Sequence, residues 1–108
     1  MIKADITRKS GRIIRVALKD HAEDASGEYN LVCAAVSSVF ITLVNGLEEV
    51  VKADVNADIG YGNSLVEINE DDALKLEKAD VLLETFELAM RSMAEEYPGH
   101  INLKITEE

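Results

Sequence analysis

Residues 2 to 7 alternate the apolar Ile2, Ala4 and Ile6 with the polar Lys3, Asp5 and Thr7, a period of two that predicts a strand with one buried face. Arg8-Lys9-Ser10-Gly11 then turns the chain, with Gly11 supplying the positive φ of a tight hairpin. A second, β-branched strand runs from Arg12 to Leu18 and fades at Lys19-Asp20-His21, so His21 stands at a strand end. The polar, small stretch Ala22 to Tyr29 reads as a loop. The first helix is expected from Asn30, a good N-cap, to Asn45-Gly46, a common helix stop, with Cys33 in its first turn. It is apolar almost all round, which calls for cover from the sheet and from a second helix or another subunit.

A third strand is predicted over Glu49 to Asn56 and a fourth over Ser64 to Ile68. Between them, Gly60 and Gly62 mark a turn, since a phosphate loop would need a following helix N-terminus. Asn69 is the expected cap of the second helix, with Glu70, Asp71 and Asp72 at the positive end of its dipole. Its apolar stripe Leu76, Ala79, Leu82, Leu83, Phe86, Ala89, Met90, Met93 and Tyr97 is packing surface, and Pro98-Gly99 ends it. Alternating Ile101, Leu103 and Ile105 make the last strand. The order β-β-α-β-β-α-β belongs to the α+β class, a mixed or antiparallel sheet with two packed helices, and the pattern leaves the strand order open.

The 108 residues suit a single domain over 1–108, and 47% hydrophobic with 30% charged residues is the composition of a folded chain. With 21 acidic against 11 basic residues the net charge is −10, which argues against direct nucleic-acid binding and favours a cationic peptide or protein partner. One cysteine cannot form an intramolecular disulfide, the N-terminus lacks a signal-peptide core, and the apolar run Leu31 to Val44 is shorter than the roughly 20 residues of a membrane span. These features predict a cytoplasmic protein without a membrane anchor. Without ligand-spaced Cys or His pairs, no metal site is expected.

A thiol in the first turn of a helix lies beside unpaired backbone N–H groups that favour the thiolate. A nucleophile also needs a base, and His21 is one loop away. The same residues have plainer roles: free cysteines are commonly buried in cores, and a histidine closing a strand is commonly a polar loop residue. His100, after Pro98-Gly99, reads as a surface residue without assigned chemistry.

Asp20-His21-Ala22, a short polar loop, and Tyr29-Asn30-Leu31-Val32-Cys33-Ala34-Ala35-Val36-Ser37 resemble the signature of the ribosomal-processing cysteine proteases of the Prp or YsxB type. The β-β-α-β-β-α-β layout and the small acidic chain agree with that family over essentially the full length. The resemblance implies a homodimeric endopeptidase that needs no cofactor. Its implied substrate is the basic N-terminal extension of a large-subunit ribosomal protein precursor, number twenty-seven of the L series. It assigns Cys33 as nucleophile and His21 as general base. Ser37, one helical turn after Cys33, matches the serine of the family run, and its hydroxyl either supports the dyad and pocket or bonds its own helix.

Two positions depart from the family pattern. Asp20 stands where glycine is usual, and Asn30 where aspartate is usual three residues before the cysteine. Asn30 can still cap the helix, and an amide can orient an imidazole, which leaves any third catalytic residue open. The 22–29 loop is either a lid or a rigid tether. Two other roles compete with hydrolysis: an acidic binding module that holds a basic ribosomal protein without cutting it, and a redox-sensing thiol.

Overall fold

The computed structural model describes residues 1–20 and 28–108. The elements are β1 (Ile2–Lys9), β2 (Arg12–Lys19), α1 (Glu28–Asn45), β3 (Val55–Ile59), β4 (Asn63–Ile68), α2 (Ala73–Glu96) and β5 (Ile101–Glu107), with a π-helical turn Gly46–Val51 continuing α1. This is the expected α+β order. The sheet is mixed: its strands lie in the order β3-β4-β2-β1-β5, antiparallel except for the parallel pair β1 and β5.

Alternation along each strand sends one face of the sheet into the core. Ile2, Ala4, Ile6, Val16, Leu18, Val66 and Ile101 are buried there against Val32, Val36, Phe40, Val44, Leu47, Ala79, Leu83, Phe86 and Met90 of the helical layer. A bulge where Thr7 pairs Arg15 and Arg8 pairs Ile13 lets Ile13 and Val16, three apart, both stay on that face. The opposite face carries exposed Lys3, Arg15, Lys19, Asn63, Asn102 and Lys104. The helices cross through an edge-to-face contact of Phe40 and Phe86, with ring centroids 6.1 Å apart.

Three local expectations are corrected. The α-helix ends at Asn45 as expected, but Gly46 does not end the helical path; a π-helical turn carries the chain on until Lys52 adopts a left-handed φ of 59° and donates its N–H to the Leu47 carbonyl. Gly46 instead lets the helices approach, since a Cβ there would lie 3.0 Å from Leu82 Cδ1. Val50 and Val51, whose β-branching suggested a strand from Glu49, are helical, and β3 starts only at Val55. The cap of α2 is Asp72, whose carboxylate accepts from the Lys75 amide at 3.0 Å, not Asn69. Glu70 serves the same junction, accepting from the amides of Asp54 (2.7 Å), Asp72 (3.1 Å) and Asp71 (3.2 Å). These bonds, that from Asp54 foremost, hold its carboxyl below the ordinary range.

With the π-helical turn included, Leu31–Val51 is long and apolar enough to cross a membrane by length and composition alone. Its inner residues Val32, Cys33, Val36, Phe40, Leu43, Val44 and Leu47 are buried in the core, as in a helix packed on a sheet.

Candidate active site

Where the candidate residues lie follows from chain direction. Residue Lys19 at the end of β2 pairs with Lys3 near the start of β1 and with Asn63 at the start of β4, and Ile59 at the end of β3 pairs with Ser64. Ile101 at the start of β5 pairs with Ile2. One end of the sheet therefore gathers the exit of β2, the β3–β4 hairpin and the entry to β5. Helix α1, about 27 Å long against about 26 Å for β2, feeds β3 at the far end through its π-helical turn, so its first turns lie at this same end. The contacts of Gly46 with Leu82 and Phe40 with Phe86 run antiparallel, which extends to place Cys33 level with the last turns of α2.

Cys33 is fully buried in the core. Because α1 begins at Glu28, Asn30 is its third residue rather than its N-cap, and Cys33 lies in the second turn instead of the first. The helix N–H groups without an internal partner belong to the first four residues. The dipole falls off over that same turn, so helix position activates this thiol less than a first-turn site would. Ser37 follows Cys33 by four residues on the same helix face and is half-buried. The structure thus brings Cys33 and Ser37 together. His21 and the segment 21–27, with Ser26-Gly27, lie outside the described residues.

Asp20 carries the chain out of β2 with a left-handed φ of 60°. Its carboxylate lies 3.8 Å from Lys3 Nζ. The substitution of the usual glycine here has a backbone reason: glycine takes this conformation freely, and aspartate is among the few other residues that tolerate it. His100, read from sequence as a surface residue, is half-buried at this end of the sheet, edge-to-face with Tyr97 at 6.4 Å.

Tyr61 and Ile59, on the β3–β4 hairpin, attracted no functional reading from the sequence. They are 82% and 49% exposed at the end of the sheet that holds the candidate site. The signal present was a large aromatic residue between two glycines. On the opposite sheet face, Arg15, Ala17, Lys19, Asp58, Asn63 and Leu65 border an open depression of about 300 Å³. Among the described residues no cluster of three His, Cys, Asp or Glu side chains could hold a metal ion.

A model of the family described as cysteine protease Prp matches residues 1–102. No curated protein matches the chain. Among solved structures, a protein from Streptococcus mutans is 33% identical, with a TM-score of 0.84, covering 100% of this chain and 99% of the other. The essential ribosomal processing protease Prp from S. aureus, in complex with a substrate peptide, is 22% identical with a TM-score of 0.86, covering 98% of this chain and 100% of that one. The same S. aureus protease with a covalently linked product peptide is 23% identical at a TM-score of 0.84, with the same coverage.

Proposed function

On the premise that the chain belongs to the cysteine protease Prp family, we propose that it removes the N-terminal extension of a large-subunit ribosomal protein, number twenty-seven of the L series. The observation that carries this is the family match from residue 1 to 102, which spans His21, Cys33 and Ser37. Cys33 is the nucleophile. His21 takes the thiol proton, and the thiolate attacks the scissile carbonyl to form a tetrahedral intermediate. Collapse breaks the C–N bond, His21 gives its proton to the departing amine, and water activated by the same imidazole hydrolyses the thioester and restores the thiol. Ser37 supports this pair from the next turn of α1, and Asn30 from the turn before it.

The net charge of −10 suits a cationic substrate, whose encounter it accelerates at low ionic strength. The uncharged stretch Leu31 to Leu47 leaves Leu31 61% and Ile41 41% exposed, which supports a homodimer. The protein works in the cytoplasm, where its substrate is made.

The test is incubation of the wild type, Cys33→Ala and His21→Ala with the extended precursor, reading product masses. Cleavage at one site by the wild type alone is expected. Complete burial of Cys33 favours a packing role for the thiol, and an intact authentic precursor after incubation with folded wild type would favour an acidic holding module over hydrolysis.

A further inference from the structure

The hairpin joining β3 and β4 is built unlike an ordinary surface turn. Such turns are usually polar, yet this one presents Ile59 and Tyr61 to solvent. Ile59 continues the row Val55, Ala57, which pairs with Ile68 and Val66. It therefore stands on the side of the sheet covered by the helices, the side of Cys33, and at the end of the sheet where α1 begins. Neighbours on this face, Leu18 and Val66, are fully buried, whereas Ile59 extends beyond the helical cover.

The tip is also held in one shape. Gly60 N–H donates to the Asn63 carbonyl at 2.9 Å. A Cβ on Gly60 would fall 2.8 Å from that same oxygen, and Gly62 is buried with a φ of 86°. Tyr61 thus projects from a turn whose backbone is already fixed. A tyrosine so placed offers broad apolar contact at little cost in side-chain entropy. β3 is an edge strand whose outer backbone groups face an approaching chain, and the net charge of −10 favours a cationic one. An apolar platform beside an open strand edge, on the nucleophile's side of the sheet of an acidic protein, fits a cationic peptide that carries an apolar side chain.

We propose that Ile59 and Tyr61 form the docking platform for an apolar side chain of the substrate peptide near the scissile bond. This rests on the protease function proposed above and adds a specificity element to it. Neither residue takes part in bond breaking, so they act on binding rather than on the chemical step.

The test uses a fluorescent peptide spanning the junction between extension and mature ribosomal protein, titrated into the Cys33→Ala protein, together with cleavage kinetics in the active background. Tyr61→Ala and Ile59→Ser are expected to raise Kd and KM by about fivefold or more each and leave kcat within about twofold, the signature of lost uniform binding. Val50→Ser, which changes an equally exposed apolar residue at the far end of the molecule, is expected to leave both unchanged. Replacing one apolar peptide residue by serine should reproduce the loss in wild type and add little in Tyr61→Ala. Unchanged Kd in both platform variants overturns the proposal, as does a change in oligomeric state on gel filtration with Tyr61→Ala, which would assign the hairpin to a second copy. Peptide binding lost in Tyr61→Ala without cleavage by wild type keeps the platform and removes the protease function. Cleavage with binding indifferent to the hairpin does the reverse, and failure of wild type to bind the peptide removes the platform.

Discussion

Lys3 and Asp20 meet across the end of the β1–β2 pair, with Nζ 3.8 Å from Oδ2 and side chains 58% and 60% exposed. An ion pair so exposed contributes little, since water and salt screen it. What position 20 supplies is backbone shape: its φ of 60° is the left-handed turn by which the chain leaves β2 toward His21. Asp20→Gly is therefore expected to keep stability within about 0.5 kcal/mol, whereas Asp20→Val should lose about 1–2 kcal/mol from forcing a β-branched residue into that region. Lys3→Ala should lose less than about 0.5 kcal/mol. Urea unfolding of the three variants decides this, and an Asp20→Val protein as stable as wild type would show that the turn does not depend on residue type.

The elements that sequence placed well are those governed by local alternation. In β1, β4 and β5 one side of each strand is buried, so period two is written in the residues themselves. The misplaced boundaries depend on distant contacts. Gly46 looks like a helix stop until Leu82 is seen against it. Val50 and Val51 look like a strand until the turn through Lys52 is seen. In the run from Asn69 to Asp72, Asn69, Asp71 and Asp72 can each cap a helix, and only the bond from the Asp54 amide to Glu70 shows why the helix waits for Asp72. At the site, the shared face of Cys33 and Ser37 was legible from their four-residue spacing. The burial of Cys33 and the place of Tyr61 were not, because both follow from which strand ends meet.

The closeness of α1 and α2 at Gly46 makes that position a test of helix approach. A methyl group there meets the Leu82 side chain at 3.0 Å, and Leu82, half-buried, can yield by a few tenths of an ångström. Gly46→Ala gains helix propensity of about 1 kcal/mol and loses a comparable amount to that shift, so it is expected to be nearly neutral. Gly46→Val adds two more carbons in the same gap and should lose about 2 kcal/mol or more. Thermal unfolding of both separates this packing role from a helix-stop role, under which the two variants would differ little.

Arg8, at the end of β1, ties the sheet to α2. Its guanidinium donates to Glu84 at 2.7 and 2.8 Å and to Glu87 at 2.9 Å, while Arg91 reaches Glu87 at 3.1 Å. Glu84 foremost, with Glu87 and against the opposing cost of burial, holds the Arg8 proton more firmly than usual. In return the Arg8 hydrogen bonds keep the Glu84 carboxyl below its ordinary range, although burial opposes this. The folded chain thus binds the Glu84 proton less tightly than the unfolded chain does. The resulting stability is complete above the ordinary glutamate value of about 4.3 and is lost as pH falls through the lower folded value. Glu84→Gln should therefore show a smaller drop in stability than wild type between neutral pH and pH 3, measured by urea unfolding. An unchanged drop would remove Glu84 as a source of acid sensitivity. Glu87→Ala removes one charged hydrogen-bond partner of Arg8 but leaves its two bonds to Glu84, so it should cost about 1.5 kcal/mol at neutral pH.

Cys33 poses the sharpest question of access, because its fractional exposure is zero in a protein whose family cleaves peptides with a thiol. An enclosed sulfur reacts only from locally opened molecules, so alkylation by iodoacetamide in native buffer should be at least about tenfold slower than in the urea-unfolded chain, a factor equivalent to an opening cost of about 1.4 kcal/mol. Burial alone would leave that slow rate indifferent to any imidazole. If His21 takes the thiol proton, the native rate should fall further in His21→Ala and its dependence on pH should move toward that of an ordinary thiol, with a pKa of about 8.5. Labelling of native wild type at the unfolded rate would show that the sulfur is not enclosed in solution. Equal native rates and equal pH profiles with and without His21 would leave the enclosure intact but separate the histidine from the chemistry of Cys33.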